Sequence, residues 1–263
     1  MHKDPDLSNL LESAVHAAYQ AGKITLSYFQ SAHFDVETKA DDSPVTIADK
    51  NAEQYIRQFV QKRFPDHAIL GEEFGEIAGS SPYRWIIDPI DGTKSFIHGV
   101  PLYGTMIGIE DRRLKDTVAG VVYFPALDEM YSAAKGLGAF CNGRRIHVSE
   151  VKELKDAVVL ITDMTQAYDH PKAECFDAIQ RMSKFVRTWG DCYGHMLVAS
   201  GRAEIMMDPK MHLWDIAALK PIMEEAGGKF FDWNGKNGLY IDDAIACNSG
   251  MADEVLQQLI VED

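Results

Sequence analysis

The spacing of apolar residues changes near residue 85, and that change restricts the folds open to this chain more than any other feature. Before it, Leu7, Leu10, Leu11, Ala14, Val15 and Ala18 recur at helical intervals. With Asp6 or Ser8 as a cap, they predict a long amphipathic helix ending near Phe29. Ala48, Ala52, Ile56, Phe59 and Val60 share one face of a second helix, with Thr46 at its N-cap and Pro65 just beyond its end. From residue 85 the runs WIID, YGTMIGIED, TVAGVVYF and EMYSAA read as strands, and KGLGAFCNGRRIHVS as a turn-rich closing piece.

From about residue 150 strand-like and helical runs alternate: VVLIT, a helix over 171–184, FVRTW, a small-residue helix over 191–201, AEIMM, and a helix over 214–226 ending at Gly227-Gly228. KFFD, IAC and a last helix carrying Val255, Leu256 and Leu259 complete the chain. An α+β half over 1–148 and an α/β half over 149–263 are therefore expected, with no repeat, linker or low-complexity tract between them.

The 263 residues, 46% hydrophobic and 25% charged, belong to a globular protein. A net charge of −14 argues against a nucleic-acid partner, because that binding rests on Lys and Arg neutralising phosphates. No apolar run approaches the ~20 residues of a membrane span, and MHKDPDLSNLLES lacks the layout of a signal peptide. A cytoplasmic protein without a membrane partner is expected. Cys141, Cys175, Cys192 and Cys247 are scattered without metal-ligand spacing and read as free thiols.

In WIIDPIDGTKSF an apolar strand runs straight into Asp88 and Asp91. Pro89 is expected to end the regular strand, and Gly92-Thr93 to open a helix. Two carboxylates at a buried strand end suit divalent cations, which want oxygen ligands and offset the cost of burying charge. Backbone N–H groups freed at Gly92 and Thr93 would make an anion site beside them. Phosphate ester chemistry needs that combination. Glu72 and Glu73 follow a short apolar run, while Asp49 and Asp215 each fall in a first helical turn. Taken singly, such aspartates also fit helix caps, the Glu pair a solvated loop, and DPIDGT a turn.

Taken together, Asp49, Glu72-Glu73, Asp88-Pro-Ile-Asp91-Gly-Thr93, GLGAFCNGRRIHVS, and Trp214-Asp215 followed by Gly227-Gly228 resemble the signature of the inositol monophosphatase family. The resemblance covers nearly the whole chain. It implies a layered αβαβα sandwich of the inositol monophosphatase and fructose bisphosphatase type, a magnesium-dependent and lithium-sensitive phosphatase, and a homodimer. It also implies that Glu72, Asp88 and the Ile90 carbonyl hold one Mg2+, that Asp88, Asp91 and Asp215 hold a second, and that a third lies near Glu72 and Glu73. Thr93 and Asp49, with Glu73, would serve the attacking water, and the amides of Gly92 and Thr93 would hold phosphate oxygens. Two bound cations would activate water and stabilise the leaving oxygen, so no covalent nucleophile is required.

RTWGDCYGHM resembles a segment lining the family's substrate pocket and here presents Asp191 and Cys192. With DGTKSF and VPLYGTMIGI, it looks like the branch acting on histidinol phosphate. A carboxylate at 191 would pair with the cationic groups of that substrate, whereas inositol offers only neutral hydroxyls. Asp208 stands where the family usually has Glu, one methylene longer. An inositol phosphate or broad sugar-phosphate substrate, a nucleotide phosphate, a helix cap at Asp191, and a binding protein on the same fold stay open at this stage. His98, His195 and His212 read as packing or rim residues, Met206, Met207 and Met211 as core, and Lys39 and Lys94 as undecided between site and solvent.

Overall fold

The computed structural model describes residues 6–31, 36–38 and 44–259; Lys39 lies outside them. The chain begins with α1 (Leu7–Tyr28), β1 (Val36–Thr38), β2 (Pro44–Thr46), α2 (Ile47–Arg63), β3 (Ala68–Gly71), β4 (Gly75–Ile77), β5 (Tyr83–Asp91) and α3 (Thr93–Ile97). A meander follows: β6 (Gly104–Asp111), β7 (Asp116–Phe124), β8 (Glu129–Ala134), β9 (Gly138–Cys141) and β10 (Arg144–Arg145). Then come β11 (Val158–Ile161), α4 (Met164–Asp169), α5 (Ala173–Met182), β12 (Phe185–Arg187), α6 (Asp191–Ala199) and β13 (Ile205–Asp208). The last elements are α7 (Leu213–Glu225), β14 (Gly228–Phe231), β15 (Ala244–Asn248) and α8 (Ala252–Gln258).

Among the described residues two main sheets form. One has eight strands in the order β10-β9-β8-β7-β6-β5-β3-β4, the other five in the order β12-β11-β13-β15-β14. Because successive strand residues point to opposite faces, each sheet buries two different apolar sets. Trp85, Ile87, Ile107, Ile109 and Val121 pack under α1 and α2 with Leu10, Ala14, Ile56 and Val60. Their neighbours Ile86, Met106 and Val122 face the other way, onto α6 and α7 and the inner residues Leu160, Met206 and Phe230 of the second sheet. Val159, Ile161, Ile205 and Met207 then meet Phe176, Ile179 and Val255 on the outer helices. The result is the αβαβα layering implied by the resemblance. The middle layer packs by close backbone approach: a Cβ on Gly120 would lie 2.2 Å from the Ala218 carbonyl oxygen of α7.

Asp6 caps α1 by accepting from the Ser8 N–H at 3.3 Å, and Thr46 caps α2. Two expectations need correction. Pro89 does not end β5: the strand runs through it to Asp91, and a register shift against β6 between Asp88 and Asp91 takes up the irregularity. The Pro89 carbonyl is satisfied by the Thr105 hydroxyl at 2.9 Å. The helix expected over 171–184 is shorter, and α4 precedes it, started by Asp163, which accepts from the amides of Thr165 and Gln166. With Ala167 as its one buried residue, α4 leaves no apolar period to read.

Candidate active site

The irregularity in β5 sits at the lip of an open cleft of about 820 Å³. Into it run the carboxyl ends of β3, β5, β11 and β13 and the first turns of α6 and α7. Asp88, 2% exposed, accepts from the Ile90 amide at 3.0 Å, and the Thr93 hydroxyl donates to the Ile90 carbonyl at 3.0 Å. Between them Gly92 takes a left-handed conformation (φ +80), and a Cβ there would lie 3.1 Å from Asp191 Oδ2. Any larger residue would be both strained and in contact with the facing carboxylate.

Asp91 is held from α6, whose Cys192 N–H donates to Asp91 Oδ2 at 2.6 Å. Asp215, in the first turn of α7, accepts from the His212 N–H at 2.7 Å. One oxygen each of Asp88, Asp91 and Asp215 lies within 4.8 Å of the other two. Glu72, just past β3, lines the same cleft and adds its charge to all three. Burial first, and then neighbouring carboxylates, push the Asp88 and Asp215 carboxyls well above the usual range. Burial also raises Asp91, against the hydrogen bonds from Cys192. A convergent all-oxygen donor set that resists ionising by itself is chemically matched to a hard divalent cation. The residues present therefore fit magnesium.

Asp191 is the first residue of α6 and itself left-handed, at φ +52, with its N–H donating to Thr162 Oγ1 at 2.9 Å. Burial, then the charges of Asp91 and Asp208, push its carboxyl well up, and only Lys94 opposes them among the main influences. Asp208 ends β13, 6% exposed, with Oδ2 3.2 Å from Nε2 of the fully buried His195. His195 is thus a packed residue, His212 stacks on Trp214, and His98 is exposed.

Glu72, Asp88, Ile90, Asp91, Gly92, Thr93, Asp191, Cys192, Asp208 and Asp215 all line the cleft; Asp49 and Glu73 do not. Asp49 Oδ2 accepts from the Thr46 amide at 2.8 Å and the Thr46 hydroxyl at 2.6 Å, closing the N-terminus of α2. Thr93 and Asp49 each make a contact within their own turn, the Thr93 hydroxyl to the Ile90 carbonyl and Asp49 from Thr46. Burial still raises the Asp49 carboxyl to about 6, with Glu72 adding to it. Cys192, 1% exposed, turns its N–H and thiol to Asp91 and so shapes that carboxylate.

Residues not anticipated include Thr162, Asp163 and Gln166 on one wall and Lys210 on another. The first two lie at the carboxyl end of β11, where open α/β sheets place their ligands, so their position was a readable signal. Glu53 also escaped notice, although it lies one helical turn beyond Asp49 on α2.

This layered α/β chain, which gathers carboxylates from strand ends and helix starts around an open cleft, is a metal-dependent phosphomonoesterase. Residues 6–263 match the inositol monophosphatase family, and the chain belongs to it. It is 47% identical to a histidinol-phosphatase of Chlorobaculum parvum over 94% of this chain and 95% of that one. It is 36% identical to a histidinol-phosphatase of Streptomyces coelicolor, over 97% of this chain and 98% of the other. Its fold is similar to the crystal structure of the extragenic suppressor protein suhB from Bartonella henselae, with a TM-score of 0.88 at 30% identity, covering 95% and 98% of the two chains.

Proposed function

We propose that this phosphatase hydrolyses histidinol phosphate to histidinol and inorganic phosphate. The observation that carries the reading is the Asp191 carboxylate, held in the cleft wall against Gly92 by a left-handed backbone. A half-buried carboxylate beside a phosphate site favours a substrate that brings positive charge with its phosphate. The ammonium and imidazole of histidinol phosphate supply it, and the names of the two relatives agree. Asp208, fixed by His195, faces the same space as a second acidic contact.

Asp88, Asp91 and Asp215, with Glu72 and the Ile90 carbonyl, would hold Mg2+. Bound there, magnesium would supply the charge that activates water and stabilises the departing alkoxide. The chain's own groups do the rest. The amides of Gly92 and Thr93 offer donors to phosphate oxygens. Thr93, whose hydroxyl proton goes to Ile90, keeps lone pairs with which to accept from and orient the attacking water. Lys94 and Lys210, on the exposed rim, draw in the anionic end of the substrate. Asp49, whose carboxylate also caps α2, stays with Thr93 and Glu73 as a group serving the attacking water. The same reading includes two magnesium ions per chain with a third near Glu72 and Glu73, sensitivity to lithium, a homodimer and a cytoplasmic location, which the family resemblance supports.

The test compares kcat/KM for histidinol phosphate and inositol 1-phosphate in the wild type and in Asp191→Ala. A charge-assisted contact is worth about 1.5–3 kcal/mol, so the substitution should cost histidinol phosphate about 10- to 100-fold and inositol 1-phosphate far less. Equal losses on both would remove Asp191 from substrate choice. A wild-type protein that releases no phosphate from any small monoester with magnesium present would favour a binding protein instead.

A further inference from the structure

The turn that presents Glu72 is held by a residue that never reaches the cleft. Between β3 and β4, which pair antiparallel with Gly71 opposite Gly75, residues 72–74 form a tight loop. The Glu72 amide is taken by the Ile87 carbonyl of β5 at 3.1 Å, and the amides of Glu73 and Phe74 turn to an acceptor on α2. Glu53 of α2, fully buried, supplies it: Oε2 accepts from Glu73 N at 2.7 Å and Oε1 from Phe74 N at 3.2 Å.

The same Oε1 accepts from Arg57 Nε at 2.6 Å, one helical turn further along, and Arg57 Nη2 donates onward to the Gly75 carbonyl. A buried ion pair on α2 therefore grips consecutive backbone groups of the loop, two donors and one acceptor. Gly71 makes room for the grip, since a Cβ there would sit 2.0 Å from Glu53 Oε1. Such a pair is expensive to bury.

The geometry points to Glu53 as a positioning residue for the metal site: it fixes the loop so that Glu72 faces Asp88, Asp91 and Asp215. This rests on the phosphatase reading above. Glu53 touches neither substrate nor cation in this scheme and acts through Glu72. Outer residues of this kind typically govern metal affinity by about 10- to 100-fold when replaced.

The test is a titration of the full chain with Mn2+ alone, which takes the same oxygen donors and is read by the electron paramagnetic resonance of the free ion. Glu53→Gln keeps the shape but must present an NH2 group to at least one N–H donor. Gly71→Ala pushes the same carboxylate from the opposite side without removing it. Each should raise the Mn2+ Kd about tenfold or more. In a Glu72→Gln background, Glu53→Gln should add less than about twofold, because its effect passes through Glu72.

A wild-type Kd retained by folded Glu53→Gln and Gly71→Ala, with only the thermal midpoint lowered, would overturn the proposal and leave a stabilising ion pair. Full additivity with Glu72→Gln would do the same. If Glu53→Gln does not fold, Gly71→Ala decides. If neither folds, Arg57→Lys, which spares Glu53 but removes the bond to Gly75, must raise the Kd, and an unchanged Kd there refutes the idea. A wild-type chain that binds no Mn2+ would instead refute the phosphatase reading itself.

Discussion

Withdrawing divalent cation with a chelator at two pH values perturbs the carboxylate cluster directly. Asp88, Asp91 and Asp215 bring oxygens within 4.8 Å of one another, where each pair of full charges repels by about 3.5 kcal/mol at an effective dielectric near 20. Asp49 gives the sign and a scale. Its folded value, about 6, exceeds its ordinary 3.8, so the folded protein holds the proton more tightly than the unfolded chain. The stability this confers is complete below about 3.8 and lost as pH rises through about 6, roughly 3 kcal/mol in all. About half of that disappears between pH 5 and 7.5, a fall of roughly 3–6 °C in Tm for a chain of this size. The cleft carboxylates, raised in the same direction, deepen the fall.

Differential scanning calorimetry in chelator should therefore show a lower Tm at pH 7.5 than at pH 5. Saturating Mg2+ should recover the part of the difference that comes from Asp88, Asp91 and Asp215 at pH 7.5 and do little at pH 5, where protons already occupy their site. Asp215→Asn should flatten the chelated profile, and subtracting it cancels the titration of the rest of the protein. A wild type and an Asp215→Asn variant with the same pH dependence in chelator would refute the reasoning.

Asp91→Asn and Asp215→Asn should each reduce magnesium-dependent phosphate release to background while far-ultraviolet circular dichroism stays native; near-normal turnover in either would remove that ligand from the site. Thr162→Val deletes the acceptor for the Asp191 amide and should raise KM for histidinol phosphate several-fold more than for inositol 1-phosphate, measured by initial rates. Gly120→Ala drives a methyl group to 2.2 Å from the Ala218 carbonyl and should cost about 1–3 kcal/mol, read as a lower urea midpoint at unchanged slope. Lys220→Met should lower the urea midpoint too, because its buried ammonium, 2.8 Å from Asp116 and 3.0 Å from Glu224, leaves two carboxylates without their cation.

Much of this architecture was legible before any coordinates. The helical spacing of Leu10, Ala14, Ile56 and Val60 and the alternation through WIID and YGTMIGIED are the faces that pack in the outer and middle layers. The cleft acids were legible as well, since a carboxylate at the end of an apolar strand has few uses that justify its burial. What escaped was relational. Pro89 looked like a stop, but β6 carried the strand past it with a shift in register. Asp49 read as a site acid, and only the fold shows that it also closes the first turn of α2 through Thr46. Glu53 carried no signal in its own segment, because the loop it grips lies twenty residues further along the chain.

Local sequence by itself determined which residues would be helix or strand, which faces would be apolar and which acids could serve a cation, because periodicity and residue chemistry act over a few neighbours. Tertiary structure alone decided which of those acids share one space, that Asp191 is locked in a left-handed turn against Gly92, and that α2 reaches across to steady Glu72. Those contacts join residues far apart in the chain, and their geometry follows from how layers stack, for which no single segment carries the information.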